Sequence, residues 1–168
     1  MVVMATGTLV FFSGKMGAGK STSAIQMAHE RRAVLLSEDE WLTSLYPDQI
    51  TSLTDYIHYA NLLKPRIKQL VQSILVAGTD VVMDFPANTT RQRDWFRTIF
   101  SEIDAPHQLV YMDVSDELCL KQIARRRIEQ PERAATDTEA MFQQVTRHFV
   151  APDPGEGFNV VRLAWKTT

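Results

Sequence analysis

The 168-residue chain holds a single cysteine, Cys119, so it can form neither an intrachain disulfide nor a cysteine-rich metal site. No uncharged apolar run approaches the roughly 20 residues needed to span a bilayer, so no membrane anchor is expected. Met1 to Gly7 contains neither a basic stretch nor a long apolar one, and no signal peptide is read there. A cytoplasmic location is the expectation. Charge of one sign is missing too: 18 Lys and Arg against 20 Asp and Glu leave a formal charge of -2. The chain therefore exerts no global pull on nucleic acid, a membrane surface or acidic substrates, and any anion site must be built locally. Internal repeats and low-complexity tracts are absent, and none of the four histidines is paired at metal-ligand spacing, so all four are read as structural.

What is present is enough for one domain and too little for two of ordinary size, with an apolar content of 45% that can fill one sizeable core. Apolar runs at Thr8 to Phe12 and Ala33 to Leu36 predict buried strands, as do Thr79 to Asp84, His107 to Met112 and Asn159 to Leu163. Between them lie helical patterns. The first runs to about Arg31, with Ala24, Ile25, Met27 and Ala28 on or near its buried side. In the second region Leu63, Ile67, Leu70, Val71, Ile74 and Leu75 recur at three- and four-residue spacing. Pro65 suits a first turn better than a helix interior, so this region is expected to divide into two helices. Further helices are expected at about 90–103, 116–128 and 138–149. Strands alternating with helices imply an α/β fold, a mostly parallel sheet covered on both faces. The polar stretch Glu129 to Asp137 is read as the tip of a mobile flap, a lid spanning about 125–140.

Gly14-Lys15-Met16-Gly17-Ala18-Gly19-Lys20-Ser21 fits the phosphate-binding loop pattern G-x4-G-K-S in full, between a strand and a helix as its mechanism requires. Glycines let the backbone approach phosphates closely, and consecutive N–H groups with the positive helix end hold the anion. Lys20 is expected to reach the β- and γ-phosphates of ATP and the Ser21 hydroxyl to ligate Mg²⁺, with Thr22 completing the nucleotide-binding set. Ligands of open parallel sheets bind outside the carboxyl ends of the strands. Asp39, just past the second strand, and Asp84, at the end of the third, both lie there. The competing reading makes each aspartate a helix cap.

The phosphate loop, Glu38-Asp39-Glu40-Trp41, Val81-Val82-Met83-Asp84 and the later basic helix together resemble the small P-loop kinases grouped with polynucleotide 5′-hydroxyl kinase. Chloramphenicol phosphotransferase, gluconate kinase and the zeta toxins are more distantly similar. The resemblance implies an adenylate-kinase-like core with strand order 2-3-1-4-5 and a helical lid. By position, Asp39 matches the acidic residue that accepts the substrate hydroxyl proton. Asp84 matches the carboxylate beside the phosphate loop that holds metal-bound water or the acceptor. Lid arginines of such kinases stabilise charge on the transferring phosphoryl group. Of Arg125, Arg126 and Arg127, which point about 100° apart on a helix, Arg125 and Arg127 are the pair preferred by position.

Asn88 and Arg91, with Arg93, follow Asp84 closely enough to contact an acceptor. Trp41, Tyr56 and Tyr59 either line the acceptor pocket or fill core, and core is favoured. Glu38 and Glu40 are read as a solvated acidic turn. The expected activity is transfer of the ATP γ-phosphoryl group to a hydroxyl of a small molecule. A polynucleotide or nucleoside kinase is the second reading; the acidic pI of about 6.1 counts against a long nucleic-acid footprint, which usually needs a basic face. A switch or adaptor governed by ATP is the non-enzymatic one, and Asp39 is the residue such a switch would not need.

Overall fold

A computed structural model describes residues 5–164. The reading of Met1 to Met4 as free of a leader, and the expected domain ends at 1 and 168, lie outside the described residues. Five strands, β1 (Leu9–Ser13), β2 (Val34–Ser37), β3 (Val81–Pro86), β4 (His107–Asp113) and β5 (Val160–Ala164), form one sheet in the order β2-β3-β1-β4-β5. Every neighbouring pair is parallel. The implied order 2-3-1-4-5 is therefore present, and β3 lies beside β1.

The central strand β1 is buried on both faces, so its side chains divide between two cores. Leu9 and Phe11 join Met83 and Leu109 in a cluster with α3 (Leu53–Val76) and α4 (Thr90–Ser101). Here the Phe11 and Phe96 rings stack at 4.4 Å. Val10 and Phe12 join Val82, Val110 and Met112 on the other face, under α1 (Lys20–Arg31) and α5 (Asp116–Glu129). On α1, Ala24 and Ala28 are buried as expected, but Ile25 is 61% exposed. It lies about 100° round the helix from Ala24 and so turns away from the sheet.

The expected break at Pro65 is a correction. The structure has two helices in this region, α2 (Glu38–Leu45) and α3, but they part at 46–52, and Pro65 sits inside α3. A proline there costs about 3 kcal/mol. Ala60, Leu63, Ile67, Val71 and Leu75 all bury on one face of the same helix, and that packing outweighs the loss. Pro65 itself is on the exposed face, where water can satisfy the carbonyl its ring frees. Ser52 caps the true start by accepting from the Asp55 N–H at 3.1 Å.

Between α5 and α6 (Glu139–Thr146) runs a segment with a short 3-10 turn at Pro131–Arg133. Beyond α6 the chain crosses the carboxyl end of the sheet. There the Val150 N–H donates to the Asn88 carbonyl at 2.8 Å. No helix among the described residues is long and apolar enough to cross a membrane.

Candidate active site

The phosphate loop is a strand-to-helix turn whose backbone only glycine tolerates at two points. Gly17 and Gly19 have φ of 80° and 93°, in the left-handed region. Gly17 also lies where a Cβ would stand 2.6 Å from the Cys119 carbonyl oxygen of α5. Gly19 occupies the cap position of α1, and no side chain caps that end. The first N–H groups of the helix are thus open to an anion, with the helix dipole in support. Ala18 is buried, Met16 packs against the core of that face, and Ser21 and Thr22 are exposed. Lys15 turns aside, pairing with Asp116 at 2.6 Å and lying over the Phe149 ring.

Lys20 folds back over the loop, donating from Nζ to the Gly14 carbonyl at 2.5 Å and the Lys15 carbonyl at 2.8 Å. Burial pushes its ammonium down to about 8, against the pull of Asp84 and Asp39, while the charge of Arg126 pushes the same way as burial. One lysine thus senses both expected carboxylates and one arginine of α5.

Neither aspartate is a helix cap. Ser37 caps α2, accepting from the Glu40 N–H, and Asp39 sits in the first turn. Asp84 lies within β3, opposite Ser37 of β2. The ladder between β1 and β3 shifts there: Phe11 faces Met83, but Phe12 faces Pro86. Such an irregularity re-aims side chains at a sheet end. Displacement of water raises the Asp39 carboxyl above its usual range, Arg133 and Arg126 oppose the rise, and Asp84 and Asp137 add to it. The expected metal donors Ser21 and Asp84 are both hard oxygen ligands. They fit Mg²⁺, which takes few protein ligands and completes its shell with phosphate oxygens and water.

Glu38 differs from expectation. It is 2% exposed, not solvated, because it shares the buried face of α2 with Leu42, one turn on. The Tyr56 hydroxyl donates to its Oε1. Burial pushes its carboxyl up to about 8, with the charges of Asp39 and Asp84 adding and that of Lys64 opposing. Trp41, Tyr56 and Tyr59 pack against the core, as favoured, and Tyr56 also positions Glu38.

The arginines of α5 divide by helical phase. Arg125 is 72% exposed and pairs with Glu129 at 2.6 Å, and Arg127 is exposed as well. Arg126 is the one turned inward, donating from Nε and Nη2 to the two carboxylate oxygens of Asp137 at 2.5 and 2.7 Å. Arg133 reaches the same carboxylate at 3.1 Å. Burial lifts the Asp137 carboxyl, but the two guanidinium groups outweigh it and hold the group below its usual range. Two signals in the sequence point to this set. Arg126 extends the stripe of Cys119 and Ile123 at spacings of four and three, and Arg133 precedes Asp137 by one helical turn.

Asn88 is occupied, its Oδ1 accepting from the Gly14 N–H at 2.9 Å. Arg91 is exposed in the first turn of α4. Arg93 is fully buried and serves as a brace: Nη1 donates to the Ala87 and Val150 carbonyls, and Nε to Glu156 at 2.8 Å.

A family model described as an AAA domain matches residues 9–152. No curated protein matches the sequence. Among solved structures, the APS kinase CysC of Mycobacterium tuberculosis, in complex with AMPPNP and APS, is 19% identical with a TM-score of 0.68. That match covers 98% of this chain and 91% of that one. Kti12 of Chaetomium thermophilum, in complex with ADP-AlF3, is 18% identical with a TM-score of 0.68, over 94% of this chain and 89% of that one. A sugar kinase from a Janibacter species, unliganded, is 16% identical with a TM-score of 0.62, over 95% and 85%. At these identities the likeness is one of fold, and the fold is that of the P-loop kinases.

Proposed function

The chain belongs to the AAA-domain family, and from that premise we propose that it transfers the γ-phosphoryl group of ATP to a hydroxyl of a small-molecule acceptor. The observation that carries the reading is the grouping of Asp39 and Asp84 with Lys20, under the field of Arg126 and Arg133. A protein that only senses ATP needs no carboxylate beside the phosphate loop to receive a proton from an acceptor.

In this reading the backbone from Gly14 to Ser21 grips the phosphates, and Lys20 leaves the loop carbonyls for the β- and γ-phosphate oxygens. Ser21 and Asp84 would hold Mg²⁺, which neutralises phosphate charge when bound. Asp39 orients the acceptor hydroxyl and takes its proton as the oxygen attacks phosphorus. Its raised proton affinity suits a general base. The bond from phosphorus to the bridging oxygen of ADP breaks, and ADP leaves with that electron pair. Arg126 and Arg133, rather than Arg125 and Arg127, would meet charge on the phosphoryl oxygens, with 125–140 acting as the lid.

The direct test is incubation with labelled ATP and a panel of hydroxyl compounds, 5′-hydroxyl oligonucleotides among them. Label transfer to a small molecule is the expected result. Transfer to oligonucleotides alone would replace the reading with a polynucleotide kinase. ATP binding without transfer to any member would favour the switch.

A further inference from the structure

We infer that the phosphoryl acceptor carries an anionic group, a carboxylate, phosphate or sulfate, which binds to Lys64 and Arg91 on the wall formed by α3 and α4. The inference rests on the phosphotransfer reading and adds the charge class of its acceptor.

Tyr56, Ala60 and Lys64 recur every four residues and so share one stripe of α3. The stripe begins where Tyr56 meets Glu38, the neighbour of Asp39. It leads to Lys64, whose Nζ lies 5.5 Å from the centroid of the Trp95 ring. Trp95 in turn packs on Phe85, the residue after Asp84, at 6.1 Å. The ammonium is therefore held half-buried beside the end of β3, on the side of the crevice away from the phosphate loop. Arg91, in the first turn of α4, acts on it with a second positive charge.

Among the described residues neither Lys64 nor Arg91 makes a hydrogen bond or an ion pair. Lys68, one turn further along α3, pairs with Glu102 at 2.7 Å. The carboxyl whose field does reach Lys64 is that of Glu38. Burial keeps Glu38 protonated up to about pH 8, so at neutral pH it supplies no full negative charge. Burial also lowers the affinity of Lys64 for its proton, and the nearness of Arg91 lowers it further. The half-buried Lys64 and the exposed Arg91 carry like charges and repel each other. An anion between them removes that repulsion and gains charge-assisted hydrogen bonds from both. A neutral acceptor would do neither. The hydroxyl end of the same molecule then faces Asp39 while its charged end is anchored.

The test loads the full-length protein with AMPPNP and Mg²⁺ to occupy the phosphate loop, then titrates inorganic sulfate by calorimetry. One saturable sulfate site is expected, weakened about tenfold or more in Lys64→Gln and in Arg91→Gln, with Arg91→Lys retaining part of the affinity. Circular dichroism of each variant checks that it is folded. In the labelled-ATP assay, glycerol 3-phosphate and glycerate should outcompete any transfer to glycerol. The inference is overturned if loaded wild-type protein shows no saturable sulfate binding, or if both variants bind as tightly as wild type. Failure of AMPPNP to bind at the first step would instead reject the phosphotransfer reading.

Discussion

Asp137 grips Arg126 through both carboxylate oxygens, at 2.5 and 2.7 Å, while itself only 1% exposed. The pair holds the Arg126 side chain on the inward face of α5, which the buried Cys119 and Ile123 define. Arg126→Ala should lower kcat for phosphoryl transfer by about 10²- to 10³-fold. Arg125→Ala removes only a solvent-screened pair with Glu129 and should change kcat less than about threefold. Steady-state kinetics on the two variants check the assignment, and equal losses would undo it.

Asp39→Asn keeps the shape of the side chain and abolishes its basicity. Transfer should fall by about 10²-fold or more, with the Kd for ATP nearly unchanged. Turnover equal to wild type would show that the group only shapes the turn.

The ammonium of Lys20 in the nucleotide-free protein loses its proton at about pH 8. Only the protonated form attracts phosphate. The Kd for ATP should therefore be flat below neutral pH and rise above about pH 8, approaching tenfold per further pH unit. Lys20→Met should bind weakly at every pH and lose this dependence. Calorimetry from pH 6 to 9.5 reads both.

Glu38 shapes stability rather than chemistry. Its folded-state value of about 8 stands above the ordinary 4.5. Between those values the folded protein holds a proton that the unfolded chain releases, so stability falls as pH rises through this window and levels off above it. Glu38→Gln needs no such proton. It should match wild type near pH 4 and melt roughly 3–8 °C higher at pH 8.5. Parallel melting curves at all pH values would contradict the burial argument.

The strands and the phosphate loop were legible because each rests on local pattern or on a motif with one mechanical solution, whereas the strand order came only with the resemblance to the small P-loop kinases. The arginines of α5 were legible only as a group. Adjacent residues on a helix point about 100° apart, and choosing among Arg125, Arg126 and Arg127 needs the stripe set by Cys119 and Ile123. Glu38 was misjudged because an acidic cluster after a strand suggests solvent. Its burial depends on Tyr56, which a turn and a second helix bring back to it. Arg93 follows Asp84 almost as closely as Asn88 and Arg91, the residues read as acceptor ligands. Its true partner, Glu156, is 63 residues away, and no local pattern announces that pairing. Pro65 is the converse case, a strong local rule overruled by five buried side chains of the same helix.

Asn88 receives Gly14 on its side chain and Val150 on its main chain, so one residue rivets together three stretches of chain remote in sequence. A tug on the strap leaving α6 is thereby delivered straight to the root of the nucleotide grip. Loosening that rivet would be felt at both ends of the molecule's working face.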